Sequence, residues 1–158
     1  MTSLTTWRVR PARSADREFI VRLTPRLAAG FPLPAWRTAE EVARTEAATL
    51  DAALRLMPDG NALLVAETVE GEPAGFVYLE RLVDYFGRPH GHVGILAVAG
   101  EMEGQGVGRV LLEASERWAR ERGLDMLSLN VFAQNERARR VYERLGYTPE
   151  TLRYVKIL

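Results

Sequence analysis

Residues 93–115 constrain the fold most, because the apolar run VGILAVA is followed by EMEGQGVG and then at once by a helical pattern. A short, nearly continuous apolar run fits a strand buried on both faces. Val107, Leu111, Ala114 and Trp118 then fall on one helical stripe, and Gly123 is placed to end that helix. A strand, a glycine-rich turn and a helix N-terminus in succession make an anion site. The first-turn amides have no intrahelical acceptors, the dipole puts partial positive charge there, and glycines let the backbone come close to the anion. Spacing excludes the two common nucleotide loops. Counted as G-x-G-x-x-G, the third glycine position is Arg109 from Gly104 and Leu111 from Gly106; a P-loop needs Gly-Lys-Ser/Thr, and Lys156 is the chain's one lysine.

Around this centre the hydrophobic period alternates. Trp7 to Arg10 reads as a first strand, and Ser14, followed by Asp16 and Glu18, as the N-cap of a first helix. Its apolar positions Phe19, Ile20, Leu23 and Leu27 keep helical spacing until Pro25 and GFPLPAW kink or stop it. Thr38 and Glu41 form a capping-box pair for a second helix, with Val42, Thr49, Leu50, Ala53, Leu54 and Met57 on one face and PDG at its end. ALLVAETV and AGFVYLER flank the turn cluster VEGEP and predict an antiparallel hairpin. A loop with Asp84, Tyr85, Phe86 and the HGH triplet leads into VGILAVA. MLSLNVF predicts another strand, residues 135–145 a fourth helix burying Ala138, Val141, Tyr142 and Leu145, and LRYVKIL a closing strand. The order is α/β (α+β), one domain over residues 1–158 with helices on a central sheet.

Composition narrows the chemistry. Lys plus Arg and Asp plus Glu each total 21, so the overall field favours neither nucleic acid nor an anionic membrane. With no apolar segment of membrane-spanning length and no signal-type segment in MTSLTTWRVR, a cytoplasmic location is expected. The absence of cysteine removes disulfides, thiolate metal sites and a thiol nucleophile. His90 and His92 are the only histidines, and H-x-H without arranged carboxylates is a poor metal site, so no metal is expected. Ser115 and Ser128 lack a nucleophile elbow, which favours direct group transfer over a covalent acyl-enzyme.

EGQGVG resembles the Q/R-x-x-G-x-G/A signature of the GNAT superfamily of N-acetyltransferases, with Gly106 and Gly108 in the glycine positions and Glu103 where Arg or Gln is usual. NVFAQNERARRVYERLGY is similar to the family's second signature through Asn135, Ala138, Tyr142, Gly146 and Tyr147. WRVRPARSADREFI resembles its first strand and helix, and LRYVKIL its last strand; residues 30–60 and the 81–91 loop match nothing clearly. The resemblance implies a GNAT-like mixed, mostly antiparallel sheet of six to seven strands with about four helices, its fourth and fifth strands splayed. It implies acetyl-CoA as cosubstrate, with the pyrophosphate on Glu103, Gly104, Gln105, Gly106, Val107, Gly108 and Arg109. The pantetheine arm would lie along Leu96, Ala97 and Val98, with the Val98 amide aimed at the thioester carbonyl. Asn135 and Ala138 would touch the cofactor, and Tyr142 would protonate the leaving thiolate. Arg139, one turn from both Asn135 and Tyr142, is spaced to reach a CoA phosphate.

The general base is less determined. Many relatives carry an acidic residue just before the Leu-Ala-Val segment, where this chain has Gly94 and Ile95. Glu80 and His92 are the alternatives, directly or through water. In this fold the acceptor enters opposite the cofactor, where Phe31, Trp36, Tyr85 and Phe86 offer aromatic walls and Asp84 a carboxylate. The implied function is acetyl transfer to a primary amine of a small molecule or protein, in a ternary complex, with a homodimer allowed by the fold. Two rivals stand beside it: a non-catalytic acyl-CoA-binding regulatory module, and an interaction domain whose glycine loop is only a turn.

Overall fold

The computed structural model describes residues 6–158; residues 1–5, which begin the stretch read as free of a signal-type segment, lie outside it. The β-rich runs pair in chain order. Strands β1 (Arg8–Pro11), β2 (Ala62–Glu67), β3 (Pro73–Val83), β4 (Pro89–Val98) and β5 (Leu127–Leu129) form one sheet in the order β1-β2-β3-β4-β5. The first three pairings are antiparallel, and β5 joins β4 in parallel through a crossover helix. The helices are α1 (Arg17–Arg22), α2 (Ala39–Arg55), α3 (Val107–Glu121) and α4 (Glu136–Arg144).

Each sheet face buries one helical layer. Phe19 and Ile20 of α1, Leu23 just after it, and Leu50 and Ala53 of α2 pack on Leu63, Val65, Phe76, Tyr78, Ile95 and Ala97. On the other face Val107, Leu111, Leu112 and Trp118 of α3 cover Ala66, Val77, Leu79 and Val93, and Tyr142 of α4 and Leu145 just after it pack against that cluster. Phe76 is 0% exposed, so Phe76→Ala costs about 3–5 kcal/mol in lost transfer energy and cavity.

Helix ends follow local chemistry. The Thr38 hydroxyl accepts from the Glu41 amide at 3.1 Å and starts α2. After α1 stops at Arg22, Pro25 opens a 3-10 turn over Thr24–Ala28, the early stop that the proline demands. Ser14 does not cap α1. It begins a 3-10 turn in which the Arg13 amide donates to Asp16 Oδ2 at 2.7 Å, because Asp16 is already held by Arg10.

Three expectations are corrected. The sheet has five strands among the described residues, not six to seven. LRYVKIL alternates like a strand but pairs with no strand among the described residues, and Leu152, Tyr154 and Ile157 stand exposed; alternation alone makes no strand without an edge to bond. The HGH triplet belongs to β4 rather than to a loop. β3 runs on to Val83 and pairs His92 with Glu80, Gly91 with Arg81 and His90 with Leu82, so the connecting loop shrinks to residues 84–88.

β5 is shorter than MLSLNVF predicts, and its brevity shapes the site. Pairing with β4 ends at Val93↔Leu129, while β4 continues to Val98. Beyond Val93 the outer edge of β4 therefore has no strand partner among the described residues, and this open edge is the gap.

Candidate active site

The glycine turn closes the end of that gap. After β4 a 3-10 turn (Gly100–Met102) leads to Gly104 and Gly106, whose φ values of +75° and +84° lie in the left-handed region that glycine tolerates. Gly106 is the N-cap of α3 and supplies no side-chain acceptor. The Val110 amide bonds back to the Gly106 carbonyl at 3.1 Å, which leaves the amides of Val107, Gly108 and Arg109 without intrahelical acceptors. No atom lies within 4 Å of a Cβ built on Gly104 or Gly106, and at Gly108 the nearest is Val98 Cγ2 at 3.8 Å. An anion can thus reach bare backbone. Val107 is buried, while the exposed Arg109 pairs with Glu113 at 2.9 Å. The Trp7 indole donates to the Gln105 carbonyl at 2.9 Å and pins the loop to the start of β1. Glu103 pairs with Arg26.

The edge of β4 lines the gap. The Ala99 amide donates to the Ala74 carbonyl across β3 at 2.8 Å, so the Val98 carbonyl and amide point the other way, toward the gap, and by alternation those of Leu96 do too. Ala97, between them, pairs with Phe76. Arg26 Nε donates to the Val98 carbonyl at 2.7 Å.

The second signature flanks the gap. Asn135 Oδ1 accepts from the Ala138 amide at 3.2 Å and caps α4. Arg139 is exposed and donates to the Ala133 carbonyl at 3.0 Å. Tyr142 is half-buried on the side of Leu96 and Val98, its ring edge-on to Tyr147 at 5.9 Å, and burial raises its hydroxyl above the ordinary phenol range. Burial, then the charges of Glu116 and Tyr142, push the Tyr147 phenol up to about 12.

The opposite face carries the titratable groups. Glu80, His92 and Ser128 are neighbours in one row across β3, β4 and β5, and His92 Nδ1 and the Ser128 hydroxyl are 2.8 Å apart. Burial raises the Glu80 carboxyl; burial, then the charge of His90, lowers the His92 imidazole. Both therefore depart from ordinary values toward the neutral form. A Cβ on Gly94 would stand 2.7 Å from Glu80 Oε2, so the Glu80 carboxylate occupies the space a side chain at that β4 position would fill. Asn61 donates to the Tyr78 hydroxyl at 2.9 Å beside it.

The acceptor-side expectations divide. Phe31 packs on Phe132, ring centroids 5.6 Å apart, in the segment that follows β5. Trp36 is 40% exposed and makes no ring pair among the described residues. Asp84 accepts from the Phe86 and Arg88 amides at 2.9 and 2.8 Å and shapes the hairpin tip, where Tyr85 and Phe86 are exposed. That tip lies roughly 13 Å along β3 from Glu80, so Asp84 and Tyr85 do not join the row.

The sequence alone gives Arg26, Trp7, Phe132 and Glu46 no place at the site; the fold brings them there. Burial, then the charge of Glu80, raises the Glu46 carboxyl, which places α2 beside the row. The signal was present: Glu46 interrupts the stripe of Val42, Leu50 and Ala53 with a charge. Arg26 and Trp7 act through partners distant in sequence and left no local mark. Among the described residues, no helix is long and apolar enough to cross a membrane, and no three potential metal ligands come together.

A sequence model of the acetyltransferase (GNAT) family matches residues 28–147, and the chain belongs to this family. Within it, the chain is 41% identical over 90 residues to a mycothiol acetyltransferase of Propionibacterium freudenreichii subsp. shermanii, covering 57% of this chain and 28% of that protein. It is 33% identical over 141 residues to the mycothiol acetyltransferase of Kytococcus sedentarius, covering 88% of this chain and 44% of that protein. The chain thus spans less than half the length of these curated relatives. The fold is similar to that of a putative acetyl transferase from Pyrococcus furiosus (TM-score 0.75, 24% identity, 97% of this chain and 100% of that one). It is also similar to aminoglycoside N-acetyltransferase AAC(6')-Iy in complex with CoA (TM-score 0.71, 20% identity, 98% and 95%).

Proposed function

We propose that this chain is a single acetyltransferase domain that transfers an acetyl group from acetyl-CoA directly to a primary amine in a ternary complex. The observation that carries the reading is the uncapped N-terminus of α3, bare of side chains at Gly104 and Gly106 and set at the end of the gap along β4 beyond its pairing with β5. Acetyl-CoA, when bound, supplies the activated acyl group; its diphosphate would rest on the amides of Val107, Gly108 and Arg109. Glu103, Gly104 and Gln105 would frame the entrance, and the pantetheine arm would follow Leu96, Ala97 and Val98.

The Val98 amide points into the gap and would bind the oxygen on which charge develops as the amine attacks. Glu80 or His92, on the opposite sheet face, would take the proton the amine sheds. We favour Glu80, because its carboxylate fills the Gly94 space, where many relatives place their base. The Ser128 hydroxyl would orient His92. On the cofactor side the Tyr142 hydroxyl, kept protonated by burial, would give its proton to the departing thiolate. Asn135, whose oxygen caps α4, keeps its amide group for the cofactor; Ala138 and Arg139 would line the same wall.

Phe31, paired with Phe132, is the acceptor wall this reading favours, with Trp36, Asp84 and Tyr85 meeting only the far part of a long acceptor. The mycothiol relatives favour a small-molecule amine over a protein one. A cytoplasmic location, where acetyl-CoA is made and used, fits this assignment. The test is a panel of small primary amines incubated with acetyl-CoA, with release of the CoA thiol followed continuously. Turnover of at least one amine that falls about a hundredfold in Tyr142→Phe supports the reading; binding of acetyl-CoA without turnover of any amine contradicts it.

A further inference from the structure

Glu103 sets a carboxylate at the mouth of a site for anions. Its countercharge comes from elsewhere in the fold: Arg26, in the 3-10 turn after α1, reaches across from the layer that covers the other sheet face. The guanidinium is held at two points and fills the space beside a third residue. Nη2 donates to Glu103 Oε1, Nε donates to the Val98 carbonyl at 2.7 Å, and Nη1 would stand 2.8 Å from a Cβ on Gly100. Gly100 does not have a positive φ, so Arg26 rather than the backbone is what excludes a side chain there. The pair is more than a third exposed on both sides, so it contributes little to folding by itself. Its placement matters more, since it bridges the last gap-facing carbonyl of β4 and the first residue of the glycine turn.

We propose that Arg26 is the cation of the diphosphate site: it cancels Glu103 and holds the end of β4, so that the turn presents its amides to a dianion without a facing carboxylate. This inference rests on the acetyl-CoA reading. It also assigns the segment carrying Arg26 to both substrates, since the residues that follow it reach Phe31 on the acceptor wall. An uncompensated carboxylate facing a diphosphate in a half-exposed site weakens binding on the order of tenfold to a hundredfold.

The experiment is calorimetric titration of free CoA into wild type, Arg26→Ala, Glu103→Gln and the double variant, at low and at moderate salt, with the unfolding midpoint of each recorded. Arg26→Ala should weaken CoA binding at least tenfold. Glu103→Gln should bind as tightly as wild type or a few-fold tighter. The double variant should recover to within about threefold of Glu103→Gln, a rescue that a purely structural role for Arg26 would not produce. Wild-type affinity in Arg26→Ala, or a double variant as weak as Arg26→Ala, overturns the inference. Should Arg26→Ala fail to fold, Arg26→Lys, which keeps the charge without the fork, is compared with Arg26→Lys/Glu103→Gln by the same criteria. Absence of CoA binding by folded wild type would instead refute the acetyl-CoA reading, and this inference with it.

Discussion

Gly94→Ala tests the base assignment without touching the base. A Cβ there would stand 2.7 Å from Glu80 Oε2 and 3.4 Å from both Glu80 Cδ and Tyr78 Cδ1. Ordinary contact begins near 3.4 Å, so the carboxylate must retreat by about 0.7 Å, and as the end of a flexible side chain it can do so. Gly94 does not have a positive φ, so the backbone accepts alanine. Stability should change by about 1 kcal/mol or less, the small strain being offset by the lower entropy of the unfolded chain. Catalysis should suffer far more, because a displacement approaching 1 Å at a reacting group costs on the order of tenfold to a hundredfold. The assay is kcat/KM with a turned-over amine, beside CoA affinity by calorimetry. We expect kcat/KM to fall in that range with CoA affinity unchanged. Glu80→Gln should lose about a hundredfold or more, and Gly94→Ala/Glu80→Gln should be no worse than Glu80→Gln. Wild-type rates in Gly94→Ala, or losses that simply add in the double variant, would refute the reasoning.

Three further expectations follow from the same structure. Burial raises Glu80 above its ordinary 4.5, and burial, then the charge of His90, lowers His92 below its ordinary 6.5. The kcat/KM profile should fall as pH drops, with its midpoint above 4.5 if Glu80 is the base and below 6.5 if His92 is; a midpoint below 4.5 contradicts Glu80 and one above 6.5 contradicts His92. Tyr142→Phe should lower kcat by about a hundredfold while CoA affinity stays within about threefold; unchanged turnover near neutral pH removes the acid role. Arg10→Met leaves Glu67 (4% exposed) with the exposed Arg8 and Asp16 (7% exposed) with the Arg13 amide as remaining partners, and should cost about 2 kcal/mol in urea unfolding, with a loss below about 1 kcal/mol counting against it. Hydrogen bonds from Arg10 hold both carboxyls below their ordinary values. Their stabilisation is therefore present above those values and lost as pH falls through the lowered ones, so the melting temperature of wild type should drop more steeply below about pH 4 than that of the variant.

What could be read beforehand was local. The Thr38 cap, the stop at Pro25, the β2–β3 hairpin and the passage from VGILAVA through Gly106 into α3 each follow from residues a few positions apart. The row of Glu80, His92 and Ser128 depends on register across three strands, including the irregularity between Tyr78 and Leu79, and no local pattern encodes it. The same limit explains LRYVKIL, whose alternation is strand-like but which finds no partner strand among the described residues, and HGH, whose place in β4 follows from the length of β3. Glu103 was legible as a departure from the family signature. The guanidinium that answers it was not, because the fold alone brings Arg26 to the glycine turn.

The central claim is that the turn at Gly104 and Gly106 holds the diphosphate of CoA, and calorimetric titration tests it most directly. Acetyl-CoA, free CoA and NAD are each titrated into wild type and Gly106→Val. Valine at a φ of +84° strains the backbone and sets a branched side chain where the anion must approach. The account predicts saturable binding of acetyl-CoA and CoA but not NAD by wild type, and at least a tenfold loss in folded Gly106→Val. No CoA binding by folded wild type, equal binding of NAD, or undiminished CoA binding by Gly106→Val would contradict it.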